Sequence, residues 1–124
     1  MGKLVPVMGQ VRVDGQPLTT GQVIFQPDAE KGNTLKHEPR GPIDSQGNYV
    51  PATTGKKGVV PGWYKVTVIA TEPFDKDKPY VIPKSLIPLR YSDPRTSELA
   101  IQVVENAAPG AYDLSLRSGD LPQK

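Results

Sequence analysis

The sequence predicts an all-β sandwich, and three observations carry the prediction. The 14 prolines and 12 glycines are spread along all 124 residues instead of being gathered in a linker. No stretch sustains the 3.6-residue spacing of apolar side chains that an amphipathic helix needs. Between the Pro and Gly clusters lie short segments rich in β-branched and aromatic residues with period-two alternation, the pattern of half-buried strands. The length fits one domain over 1–124, with an ordered core over 4–117 and a loose tail over 118–124. A chain of this size buries about two thirds of the surface that its unfolded form exposes, so it folds without staples.

The first strand is expected over Val7–Val13, with Val7, Gly9, Val11 and Val13 on one face. Asp14-Gly15-Gln16-Pro17 then turns the chain into a hairpin with Gly21–Gln26, which points Val23 and Phe25 inward. Pro27–Arg40 is polar, holds the one histidine, His37, and offers no packing face. A compact hairpin follows, Gly41–Asp44 and Asn48–Val50 around Ser45-Gln46-Gly47, in which Gly47 supplies a positive φ. The strongest strand is Trp63–Thr71: Tyr64, Val66, Val68 and Ala70 share one face, and the strand belongs at the centre of a sheet. Glu72–Arg90 carries Pro73, Pro79, Pro83 and Pro88, which exclude a regular helix or a central strand and leave an extended crossover. Leu99, Ile101 and Val103 form one face of the next strand, and Tyr112, Leu114 and Leu116 the inner face of the last, Ala111–Arg117.

Pro61-Gly62-Trp63-Tyr64 is echoed by Pro109-Gly110-Ala111-Tyr112, each followed by alternating apolar positions. Each pair reads as a turn that launches a strand, with a tyrosine hydroxyl bonding nearby backbone as in a tyrosine corner.

Composition removes several functions. Without cysteine there is no disulfide framework, thiolate metal site or cysteine nucleophile. A net charge of +2 is too small and dispersed for a nucleic-acid footprint, and Lys56-Lys57 between glycines is a solvated loop tip. No run approaches the ~18 apolar residues of a membrane span, and Met1–Pro6 has no signal-peptide core. One histidine leaves only oxygen donors for a metal, and neither Asp75 and Asp77 nor Asp44–Asn48 completes a calcium loop, so no metal or other cofactor is expected.

Four segments resemble the carboxypeptidase regulatory-like, or transthyretin-like (prealbumin-like), domains of bacterial secreted proteins and lipoproteins. They are Val7-Met8-Gly9-Gln10-Val11-Arg12-Val13-Asp14-Gly15-Gln16-Pro17-Leu18, Gly21-Gln22-Val23-Ile24-Phe25-Gln26-Pro27, Asp44-Ser45-Gln46-Gly47-Asn48-Tyr49 and Pro61-Gly62-Trp63-Tyr64-Lys65-Val66-Thr67-Val68. The stretch from Ile87 to Leu99 resembles a segment that marks a small lipoprotein branch of that group. The resemblance spans nearly the whole chain. It implies a seven-stranded Greek-key β-sandwich, prealbumin-like or Ig-like, in an extracytoplasmic setting: periplasm, cell envelope or secreted. In that branch a signal peptide and a lipid-modified cysteine precede the domain. This sequence lacks both, so membrane attachment is expected only through an N-terminal lipid anchor absent from this chain. Transthyretin-like folds also include a hydroxyisourate hydrolase, whose site uses several histidines and a Tyr-Arg-Gly-Ser type C-terminus. One histidine and the ending Leu116-Arg117-Ser118-Gly119-Asp120 do not match it.

The candidate binding residues are Trp63, Arg90, Tyr91 and Asp93. A guanidinium and an aromatic ring beside a carboxylate can grip a sugar or peptide. The competing explanation is structural: Asp93-Pro94 initiates a turn, Thr96 and Ser97 hydroxyls satisfy backbone groups, and Tyr91 anchors the loop. Trp63 lies opposite the inward face of its strand, where it offers an anchor to a partner unless Phe74, Tyr80 or Ile82 folds over it. With no catalytic, cofactor or metal residues assigned, the expected function is a non-enzymatic envelope module that binds protein or carbohydrate or has a structural role. The alternatives are a transthyretin-like hydrolase and a domain that self-associates through an edge strand.

Overall fold

Alternation along the strands sorts side chains into an enclosed set and a solvated set. The computed structural model describes residues 4–72, 76–82, 84–107 and 110–118. Among the described residues ten strands form: β1 (Gly9–Val13), β2 (Gln16–Pro17), β3 (Gln22–Pro27), β4 (Arg40–Pro42), β5 (Asn48–Tyr49), β6 (Ala52–Thr53), β7 (Lys56–Lys57), β8 (Gly62–Ile69), β9 (Leu99–Val103) and β10 (Leu114–Leu116). Among the described residues the helical elements are two short 3-10 turns, Ala29–Lys31 and Leu89–Ser92. The chain is therefore all-β, in two sheets. One has the order β10-β1-β2 with β5 also paired to β1, and the other runs β7-β6-β4-β3-β8-β9. Only the β1–β10 pairing between named strands is parallel.

The expected inward faces are enclosed apart from Val13 and Leu99, which are half-buried against the core. Val7 and Val11, Val23 and Phe25, Tyr64, Val66, Val68 and Ala70, and Tyr112, Leu114 and Leu116 all belong to one apolar core. β8 sits between β3 and β9, as its composition requires. Phe25 joins the sheets: its ring centroid lies 6.1 Å from that of Tyr49 on β5 and 5.6 Å from that of Tyr64 on β8.

The first hairpin differs from expectation. β1 turns at Asp14-Gly15 and pairs with Gln16-Pro17, and Leu18 adds one more bond by donating its N–H to the Val11 carbonyl, 2.9 Å. The chain then leaves for the other sheet, so Gly21–Gln26 pairs with β4 and β8 and not with β1. Gly21 makes the crossing possible, with φ +117 and with Ile69 O only 2.5 Å from where a Cβ would stand. The second hairpin forms as expected, with Gly47 at φ +85 and Asp44 Oδ1 accepting from Gln46 N and Asn48 N. Its arms serve both sheets, since Gly41 pairs with β3 and Tyr49 with β1. The last strand is shorter than Ala111–Arg117, because Tyr112 and Asp113 bond outside the ladder. Ser118 at the head of the tail is tied by its N–H and hydroxyl to the Asp14 carboxylate, and 119–124 lie outside the described residues.

Both tyrosines that flank Phe25 are enclosed phenols. Burial, then the Asp113 carboxylate and Tyr112, pushes the Tyr49 phenol far above its ordinary 10.0. Burial also raises Tyr64, with the Asn33 side chain opposing it. A raised folded pKa means that the stabilisation is fully present below pH 10 and is lost as pH climbs past it, because the unfolded chain releases its protons first. Urea midpoints are expected to fall from about pH 10 upward, with the Tyr49 phenol contributing at most about 1.4 kcal/mol per pH unit. Tyr49→Phe removes one such contribution, and an unchanged slope in that variant contradicts the assignment.

Candidate functional site

The corner after Pro88 is built from its own hydrogen bonds. Tyr91 N donates to Pro88 O at 3.1 Å and closes the 3-10 turn, which drops the Tyr91 ring into the core at 3% exposure. Its hydroxyl accepts from Arg90 Nη2 at 2.9 Å and from the Arg117 N–H at 3.0 Å, joining the corner to the end of β10. The Arg90 guanidinium lies over the same ring, 4.6 Å from its centroid, and reaches Glu98 at 3.4 Å. Asp93 turns the chain: its carboxylate accepts from Arg95 N and pairs with the Arg95 guanidinium at 3.0 Å. That pairing lowers the Asp93 carboxyl and raises Arg95 from their ordinary values. Thr96 Oγ1 donates to Arg90 O at 2.8 Å, and the buried Ser97 donates to Val66 O at 2.7 Å. Arg90, Tyr91 and Asp93 thus engage structural partners, and the Tyr91 ring is almost wholly buried.

Trp63 stands at the other end of the β8–β9 ladder, opposite Gln102, whereas Leu99 beside the corner pairs with Val66. Its cover comes from an unexpected quarter. Asp28 Oδ1 accepts from Glu30 N, Gly32 closes the turn in the left-handed region, and Lys31 extends over the indole with Nζ 4.1 Å from the ring centroid. Asn33 Nδ2 and Asp28 N both donate to the Trp63 carbonyl, at 2.8 and 3.1 Å. Of the crossover residues expected over it, Tyr80 and Ile82 are turned to solvent, and Phe74 lies outside the described residues. Trp63 lines one cleft with Lys31 and Asn33, while Arg90 and Tyr91 line another with Ser97 and Arg117.

A third, more enclosed cavity of about 320 Å³ lies beneath the polar 27–40 loop, whose sequence carries no periodic packing face. Leu4, Leu35, Pro39, Val60 and Tyr64 supply apolar walls, and His37, Thr53, Thr54 and Lys56 stand around them. Two elements create it. Val5 and Val59 exchange backbone bonds of 2.9 Å, which brings Leu4 alongside, and Asn33 Oδ1 accepts from Leu35 N, which turns Leu35 toward the core. The one sequence signal was Leu35 and Pro39 among polar neighbours, with no period to mark them as inward. Tyr64 donates to Val60 O at 2.6 Å, the bond expected of a tyrosine corner, and Tyr112 bonds the Val104 carbonyl upstream in the same manner. Tyr64→Phe is expected to cost about 1 kcal/mol, read as a lower thermal midpoint, and an unchanged midpoint contradicts that role for the hydroxyl.

Among the described residues no three His, Asp or Glu side chains gather where they could hold a metal ion. No helix among them is long and apolar enough to cross a membrane. Comparison with protein-family models, curated proteins and solved structures returns no match to this chain.

Proposed function

We propose that this chain is a non-catalytic binding module of the cell envelope, built as a transthyretin-like, seven-stranded Greek-key sandwich. The strand count rests on taking β5 and β6 as one bent strand that passes from one sheet to the other. β2 and β7 are then two-residue hairpin stubs, which leaves β1, β3, β4, β5–β6, β8, β9 and β10. The extracytoplasmic setting rests on the family resemblance of the sequence.

The observation that carries the binding reading is the cavity walled by Leu35, Pro39, Val60 and Tyr64. Its size lies at the lower end of ligand pockets, and its lining suits an apolar group. A protein partner that inserts one aliphatic or aromatic side chain fits this better than a glycan, because the ring that would stack on a sugar, Trp63, lies beneath Lys31. The hydrolase alternative is disfavoured by the same lining, which has one histidine and, among the described residues, no carboxylate.

The test uses N-acetyl-leucinamide and N-acetyl-phenylalaninamide at millimolar concentration, followed by methyl NMR. Saturable shifts at Leu35 and Val60, abolished by the cavity-filling Val60→Phe, are the expected result. Shifts that are absent, or that survive the filled cavity, overturn the reading. Ureide turnover by the purified chain, lost in His37→Ala, would replace it with the hydrolase.

A further inference from the structure

We propose that the cavity takes the C-terminal residue of an extended peptide, with its side chain between Leu35, Val60 and Tyr64 and its free carboxylate beside Lys56 and His37 at the mouth. The assignment rests on the binding reading of the same cavity and names which part of a partner enters it. The lining is sorted by depth. Pro39 and Tyr64 are buried, Leu35 and Val60 half-buried, and His37, Thr54 and Lys56 exposed. An occupant that matches has an apolar body and a polar end turned to the mouth.

Charge decides what that end is. Over 33–40 and 52–60, the segments that form most of the wall, the sequence holds Lys36, Arg40, Lys56 and Lys57 against the single carboxylate of Glu38. Glu38 is already paired with Arg40 at 3.5 Å, and among the described residues Lys36, Lys56 and Lys57 form no ion pair. The nearest acidic residues before this stretch are occupied as well: Glu30 pairs with Lys65 of β8, and the buried Asp28 accepts the Glu30 N–H. The mouth is therefore a cationic surface without a neutralising carboxylate of its own, and complementarity selects an anion. The threonines do not compete for that role. Thr53 Oγ1 donates to Gly58 O and Thr54 Oγ1 to Thr53 O, each at 2.8 Å, so their single protons are committed. Lys56 and His37 are the lining side chains left to donate.

The walls favour a chain end over a free acid. Leu35 and Val60 also line the cleft at Trp63, so the two recesses share a ridge. A peptide whose last side chain fills the cavity lays its preceding residues across that ridge toward Trp63. A fatty acid has nothing to place there. Capture of a terminal carboxylate is a recurring way to read the end of a chain.

The experiment titrates the full chain, followed by methyl NMR, with N-acetyl-leucine against N-acetyl-leucinamide, and with acetyl-Ala-Ala-Ala-Leu against its C-terminal amide. Octanoate is the further probe. In both pairs the acid is expected to bind about fivefold more tightly than the amide at low salt, a ratio that shrinks as salt screens the charge. The tetrapeptide acid is expected to bind more tightly than N-acetyl-leucine. Lys56→Gln together with His37→Gln brings the acid-to-amide ratio to about one, and Lys56→Arg keeps it. Both side chains are exposed, so the double variant is expected to keep its thermal midpoint. Equal affinity for acid and amide, or a preference that survives the double variant, overturns this inference and leaves the binding reading in place. Octanoate binding as tightly as the tetrapeptide acid overturns the assignment to a peptide end. No binding of any probe overturns both readings.

Discussion

Phe25→Ala is expected to destabilise the fold by about 3–5 kcal/mol, a large part of the roughly 5–15 kcal/mol that holds a domain of this size. The ring is fully enclosed and lies between Tyr49 of one sheet and Tyr64 of the other, tilted against both. Truncation removes its buried surface, opens a void and deletes two ring–ring contacts, each worth about 0.5–1.5 kcal/mol beyond the area buried. The surrounding β3–β8 ladder limits how far the walls can relax into the gap. In urea the midpoint is expected to fall while the slope stays constant. Phe25→Leu, which keeps most of the volume, is expected to recover about half of the loss. A midpoint shift equivalent to less than about 1 kcal/mol for Phe25→Ala would place the ring outside the core.

Gly9→Val is expected to cost more than about 3 kcal/mol, or to abolish the folded state. A Cβ at Gly9 would stand 2.3 Å from the Tyr112 carbonyl oxygen and 2.8 Å from the Tyr49 ring. That carbonyl already accepts the Tyr49 hydroxyl at 2.5 Å, so movement away from the new side chain breaks a buried hydrogen bond. Because the clash begins at Cβ itself, Gly9→Ala is expected to cost nearly as much as valine. Thermal unfolding of the alanine variant checks this, and a midpoint close to that of the unsubstituted chain would show that the segment before β10 yields without loss.

Local features were legible in the sequence and long-range partners were not. Alternation at Tyr64, Val66 and Val68 reports which side chains turn inward, since the strand repeat is a property of the backbone alone. The positive φ of Gly47 follows from turn chemistry in the same way. The pairing of β1 is another matter. Asp14-Gly15 signals a turn, but nothing nearby says that the returning arm stops after Pro17 and that the parallel neighbour comes from Leu114–Leu116. The candidate site divides along the same line. The hydroxyls of Thr96 and Ser97 bond backbone as their residue types suggest, with Thr96 bonded within its own corner. The cover over Trp63 and the wall at Leu35 come from an aperiodic loop whose position is set by Asp28 and Asn33 bonding the Trp63 carbonyl and its neighbours.

The account depends on two sheets that close on one another through aromatic contacts. Proton–proton NOEs between the Phe25 and Tyr49 rings test this most directly, because these residues sit on different sheets with centroids 6.1 Å apart. Strong cross-sheet NOEs, with both rings shielded from a soluble paramagnetic probe, are the result the account requires. Rings broadened by that probe and without mutual NOEs would contradict it.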